Sequence, residues 1–229
     1  MLVKWGSIIV KGSGKLGGHV FSSGPSGASV HTLARARNQQ SRNQMDVRSR
    51  FTQLTQGWRN LTESQRESWY QAESEFSRVN RFGDVFFLSG KNLYESLNNE
   101  RGVIGLAPLV FAPLPSQLGL NRVDDVLFDV SSNQIVISGA FTSGFNYVVV
   151  GSQVVSAGTR SFSGKMRIIS LNGTNIDGNI ITGSSTVSNG WKDVFGERRV
   201  GGKVFIGTYS INASGQKTTL SVIPTIIQA

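Results

Sequence analysis

Apolar residues in this chain follow two different periods. Between Gln40 and Asn60, Val47, Phe51, Leu54, Trp58 and Leu61 fall at steps of four, three, four and three. That spacing lays one apolar stripe along a helix and predicts a helix from about Gln40 to Asn60. Thr62-Glu63-Ser64-Gln65 follows, a capping-box pattern in which Thr62 accepts from the Gln65 amide while Gln65 reaches back. A second helix then places Trp69, Ala72, Phe76 and Val79 on one face. The short connection predicts antiparallel packing, with a shared core of Phe51, Leu54, Trp58, Leu61, Trp69 and Phe76. Phe82 to Leu88 reads as a turn and a short strand. Ser89 then reads as the N-cap of a third helix through Leu93, Tyr94 and Leu97 to about Arg101, with Gly102 as its stop.

Before and after this helical stretch the pattern turns β-like. Ser7–Val10 and His19–Phe21 read as strands joined by the glycine-rich segment Lys11 to Gly18, and Ser22 to Gly27 reads as a further turn. Seven β-rich stretches span Val126–Val130, Gln134–Phe141, Asn146–Val155, Lys165–Leu171, Asn179–Val187, Lys203–Ile211 and Thr218–Ile227. They are separated by turn signals such as Ser131-Ser132-Asn133, Asn172-Gly173 and Ala213-Ser214-Gly215. Seven short strands without a helical stripe point to an antiparallel β-sandwich of fibronectin or immunoglobulin type, or to a small barrel. Three of the five prolines lie in Leu106 to Pro115, which predicts an extended, semi-rigid connector. The expected class is α+β with two domains. Residues 1–38 form a basic, glycine-rich arm with a β-hairpin and residues 39–105 a helical clamp. Residues 106–117 form a proline-rich linker and residues 118–229 the sandwich.

Charge changes this picture at one end. Of the net +9, residues 1–50 hold +7, with Asp46 their single acid. Lys11, Lys15, Arg35, Arg37, Arg42, Arg48 and Arg50 are therefore candidates for contact with nucleic acid or another polyanion, or for a solvated basic arm. The chain has no cysteine, which excludes disulfides, thiolate metal sites and a thiol nucleophile. With only His19 and His31, a Ser-His-Asp mechanism is a poor fit. The apolar run Ser7 to Val10 is too short for a signal-peptide core, and no stretch reaches the roughly 20 apolar residues of a spanning helix. We therefore expect no membrane span and no leader.

Candidate chemistry is sparse. Gly12-Ser13-Gly14-Lys15 resembles half a phosphate loop, but Leu16 and further glycines follow the lysine instead of Ser or Thr and a helix. A glycine hairpin fits better. The acid groupings, Asp124-Asp125 with Asp129 and Glu73 with Glu75, lack histidine partners and metal-ligand spacing. The expectation is no enzyme, no metal and no cofactor. The aromatic, charged stretch Asn189 to Arg199 offers Trp191, Phe195, Arg198 and Arg199 as partner contacts, or else is a long loop folded over the sandwich edge.

Several motifs together resemble a known family. They are Gly14-x-x-Gly17-Gly18-x-x-Phe21, Gln44-x-x-x-Arg48-x-Arg50-Phe51, Trp58-x-x-Leu61-Thr62-x-x-Gln65-Arg66-x-x-Trp69, Gly90-x-x-Leu93-Tyr94 and the proline-rich connector. This set is similar to that of a family of phage-encoded, virion-associated proteins with a C-terminal fibronectin-like domain. The resemblance covers about residues 6–115, and in the sandwich only Phe205 to Ser221. It implies a non-enzymatic virion protein, made in the host cytoplasm: a minor capsid, vertex (penton) or connector component. Such a protein would bind neighbouring virion subunits in repeated copies, with its basic arm facing the genome. The alternatives are a genome-organising, DNA-binding protein, and a receptor- or glycan-binding module that uses Trp191 and Phe195. The resemblance supplies no catalytic residues.

Overall fold

The computed structural model describes residues 2–4, 12–34, 40–129, 134–142, 145–162, 164, 166–171, 176–177, 180–182, 194–196 and 199–227. Among them the architecture is α+β, with three α-helices and several antiparallel sheets. The expected strand Ser7–Val10 lies outside the described residues. The chain divides into two compact units. One is Met1–Asn99 with Pro108–Pro115, and the other is Glu100–Ala107 with Ser116–Ala229.

The first unit opens with β1 (Leu2–Val3), β2 (Gly14–Leu16), β3 (His19–Gly24) and β4 (Gly27–Thr32), in the sheet order β1-β4-β3-β2. Gly17 turns β2 into β3 at φ +56, a left-handed conformation that a side chain resists. Register sets Leu16, Phe21, Val30, Ala28 and Val3 on one face of this sheet. Helix α1 (Arg42–Asn60) follows, then α2 (Glu63–Gln71), which tightens into a 3-10 turn over Ala72–Glu75. The capping box forms as the sequence predicts: the Gln65 amide donates to Thr62 Oγ1, and the Thr62 amide donates to Gln65 Oε1 at 2.8 Å. Arg66 reaches back to donate to the carbonyls of Trp58 and Arg59 in the last turn of α1, the first of which also accepts from the Leu61 amide.

The second helix does not run on to Val79. After the 3-10 turn, β5 (Ser77–Val79) pairs with β6 (Val85–Phe87), and α3 (Gly90–Val103) comes next. Leu54, Trp58, Leu61, Trp69, Ala72, Phe76, Leu93, Tyr94 and Leu97 make the core. The Tyr94 ring lies 5.4 Å from that of Trp58 and 5.3 Å from that of Trp69, the latter edge-to-face. Phe51 is the correction to the expected core, since it is 43% exposed. Among the described residues, the buried cluster takes its α1 members from Leu54, Trp58 and the neighbouring Leu61.

The expected proline linker is also corrected. Pro108–Pro115 is extended, as its prolines dictate, but it is fastened to the helical core of its own unit. Trp69 Nε1 donates to the Val110 carbonyl at 3.0 Å. The Asn98 side chain brackets Leu109, accepting from its amide at 2.7 Å and donating to its carbonyl at 3.2 Å. The Ala112 amide donates to Ser68 Oγ, and Leu109 and Ala112 pack against the core.

The second unit holds β7 (Asn121–Asp129), β8 (Gln134–Phe141), β9 (Asn146–Gly151), β10 (Arg167–Leu171), β11 (Ile176–Asp177), β12 (Ile180–Thr182), β13 (Lys203–Ile211) and β14 (Ser221–Ile226). They form two four-stranded antiparallel sheets, β11-β12-β8-β7 and β10-β9-β13-β14. One buried cluster draws on both. Val123, Val126, Ile135, Ile137 and Phe141 come from the first sheet, and Tyr147, Val149, Ile169, Val204 and Ile206 from the second. Alternate residues of β9, Val148 and Val150, join Ile104 and Ile211 in a separate cluster, so that strand is apolar on both faces. Strand β7 begins earlier than its polar start, Asn121 to Asp125, suggests. A bulge between Val123 and Asp125 shifts its register.

Candidate interaction site

The structure places the predicted basic residues on separate elements. Lys15 is exposed on the edge strand β2, paired with Val20, so the glycine-rich segment is a hairpin and not a phosphate loop. Arg48 is exposed and Arg50 half-buried on α1. Arg42 begins α1, but its side chain, like Lys11, Arg35 and Arg37, lies outside the described residues.

Of the four partner-contact candidates, Trp191 and Arg198 lie outside the described residues. Arg199 is exposed. Phe195 is turned inward: it packs against the core of the second unit, with the Arg167 guanidinium 5.8 Å from its ring centroid and donating to the Val194 carbonyl.

Several of the described carboxylates bond within the fold. Asp124 is paired with Arg122 at 2.8 Å on the surface, and Asp125 accepts from the Val126 amide within the β7 bulge. Glu73 accepts from the Gly90 amide, where the positive end of the α3 dipole favours an anion. A side-chain hydrogen bond from Asn80, and then one from Lys4, hold the Asp84 carboxyl below its usual range. No group of three or more His, Asp or Glu that could hold a metal ion occurs among the described residues, and no described helix is long and apolar enough to cross a membrane.

What the side chains do offer is apolar surface. Val79 and Val85 are opposed across the β5–β6 pair, with Phe87 on the same face. Val79 is 65% and Val85 59% exposed, and Phe87 is exposed as well. The exposed Phe82, between the two strands, holds the Lys4 ammonium 5.2 Å from its ring centroid. A second apolar strip runs up α1 through the exposed Val47 and Phe51. Sequence reasoning assigned Val79, Val47 and Phe51 to a packed face. Their spacing is helical or amphipathic, and spacing alone does not say what covers a stripe.

The second unit contains an open groove of about 580 Å³, lined by Arg160, Phe162, Met166, Phe205, Val222 and Pro224 among others. Phe162 stacks on Phe205 with centroids 5.7 Å apart. Comparison of the chain with known protein families and with curated proteins finds no match.

Proposed function

We propose that this chain is a non-enzymatic structural component of a bacteriophage particle: a minor capsid, vertex or connector protein that holds neighbouring protein subunits. The observation that supports this most is the apolar face of the β5–β6 hairpin. Val79, Val85 and Phe87 stand together in water on an element of three residues per strand. Scattered apolar residues on a surface need no explanation, but a contiguous group of them is how protein interfaces are made. The particle setting rests on the motif set around Trp58-x-x-Leu61-Thr62-x-x-Gln65-Arg66-x-x-Trp69.

We read the second unit as a fibronectin-like sandwich domain. β7, β8 and β12 take the A, B and E places in one sheet, and β9, β13 and β14 the C, F and G places in the other, with β10 added beside C. The edge strand β14 has Pro224 at its centre, which denies a neighbouring strand one hydrogen-bond donor. In this reading the sandwich presents loops and faces, not edges.

The test is incorporation. Val79→Ser together with Val85→Ser leaves the isolated fold intact, because both side chains are exposed, and lowers the amount of chain in purified particles. Unchanged incorporation refutes the role of the hairpin. The exposed Arg48 keeps a genome-binding reading in play. That reading demands affinity for DNA that falls more than about a hundredfold between 50 and 200 mM salt for roughly five phosphate contacts. A flat salt response removes it.

A further inference from the structure

The outer face of the sheet β10-β9-β13-β14 carries an apolar groove. Val204 and Ile206 of β13 belong to the core of the second unit, so Phe205 between them faces the other way. Register sets Pro224 of β14 opposite Phe205, with Val222 and Leu220 at the preceding alternate positions. Phe162 and Met166 complete the apolar lining of this open groove of about 580 Å³. Sites for small ligands occupy roughly 300–1,000 Å³. Leu220 is 47% and Val222 39% exposed, so the lining is in contact with water.

The groove is shaped before anything enters it. The loop that brings Arg160 and Phe162 to it is tied down at several points. Val155 and Lys203 exchange two backbone hydrogen bonds, at 2.8 and 3.0 Å. The Thr159 amide closes a turn on the Ser156 carbonyl, and Lys203 Nζ donates to the Thr159 carbonyl at 2.8 Å. Phe162 then stacks on Phe205 with 26° between the rings. Glycine at 164 leaves room for the Phe162 ring, with which a Cβ at that position would collide. A site held in its bound shape loses less freedom on binding than one that must first be ordered.

The lining identifies the chemistry of the occupant. Arg160 and Ser161 are exposed and line the same groove. Among the described residues, no lining side chain is acidic and no carboxylate pairs with Arg160. The groove thus sets one cation next to hydrocarbon. A polypeptide laid along it would bring amide groups, and a sugar hydroxyl groups, that apolar walls leave without hydrogen bonds. Pro224 also denies an added strand one donor at the edge of β14. A hydrocarbon chain ending in a carboxylate brings a single polar group, and a guanidinium receives that group in a bidentate pair.

We propose that this groove is a binding site for a small amphiphilic carboxylate, its hydrocarbon against Phe162, Met166, Leu220, Val222 and Pro224 and its charged group on Arg160. The site goes beyond the particle reading and does not depend on it.

The test uses the full chain, isotope-labelled in its methionine methyl groups and followed by NMR. Met166 lines the groove, whereas Met45 lies on α1 of the other unit and reports binding elsewhere. Met166→Leu assigns the signal. Decanoate shifts the Met166 methyl resonance saturably, with half-saturation below about 1 mM, and leaves Met45 in place. Decylammonium, with the same chain and the opposite charge, and acetate, with the charge and no chain, each bind at least tenfold more weakly. Arg160→Gln weakens decanoate at least fivefold, and Arg160→Glu makes decylammonium the better ligand. Leu220→Asp also weakens decanoate at least fivefold. Both positions are exposed, so the circular dichroism spectrum stays unchanged.

Half-saturation above about 1 mM decanoate, or none, overturns the proposal. So does equal movement of Met45 and Met166, or indifference to either Arg160→Gln or Leu220→Asp. Equal affinity for decylammonium overturns it in favour of an apolar face that does not read charge. Acetate binding as tightly as decanoate overturns it in favour of a bare anion contact.

Discussion

Replacing Asn98 by alanine removes two of the hydrogen bonds that fasten the proline-rich segment to the helical core. Asn98 is buried, and its amide satisfies both backbone groups of Leu109, at 2.7 Å and 3.2 Å. Alanine fills neither role and leaves a backbone N–H and a C=O without their partners. Each buried polar group stranded in this way costs about 1–3 kcal/mol. Leu109 is half-buried, so water recovers part of that, and the pair together comes to about 2–4 kcal/mol. For a unit of roughly a hundred residues this lowers the melting temperature by about 8–16 °C. Thermal unfolding followed by tryptophan fluorescence reports it, because Trp58 and Trp69 are both in this core. Hydrogen exchange of the Leu109 and Ala112 amides should rise with it, since both donate to core side chains. A drop of less than about 2 °C with unchanged exchange would refute the claim that this segment is held by specific bonds.

Other outcomes follow from particular contacts. Thr62→Ala removes one arm of the capping box and costs about 1 kcal/mol in chemical denaturation, while Thr62→Ser restores most of it. Gly139→Ala sets a methyl group against the Arg122 carbonyl oxygen opposite the β7 bulge; the backbone must shift, and the variant lowers the denaturation midpoint of the second unit well beyond an ordinary surface change. Tyr209 tests the alkaline side. Burial, and then the Glu100 carboxylate, push its phenol up to about 12, whereas an unfolded tyrosine titrates near 10. The fold thus prefers the neutral phenol, and this contribution is complete below about pH 10 and is lost as pH rises through about 12. Tyr209→Phe should flatten the fall in unfolding free energy across that window, and phenolate absorbance should show Tyr209 ionising last; an early, complete tyrosine titration in the folded chain contradicts this.

How much of the fold was legible depended on whether a residue's role is local. The capping box at Thr62 and Gln65 is written in four consecutive residues, and α1, α3 and most strands of the second unit follow from period and turn chemistry. Val79 was misread because a helical interval persists by chance past Ala72, where the chain has already tightened and turned into β5. The fastening of Pro108–Pro115 had no sequence signal: Trp69, Asn98 and Ser68 bind backbone groups about 11 to 44 residues away, and a backbone carbonyl is the same in every sequence. Tyr94 was expected on the third helix, yet its place between two tryptophans belongs to tertiary packing. The candidate interaction surface was the least legible part. Val47 and Phe51 fit the same stripe as Leu54 and Trp58, and only the arrangement of α2 and α3 decides that one half is covered and the other is not.

The central claim is that this chain works by holding protein neighbours in a particle. The most direct measurement is quantitative mass spectrometry of extensively washed particles from cells that produce the chain, with a cryo-EM map of the same particles. The account predicts the chain in fixed proportion to the main shell protein, with density for its helical core and paired sheets against neighbouring subunits. Particles that lack the chain, with all of it left in the unassembled fraction, would contradict the account.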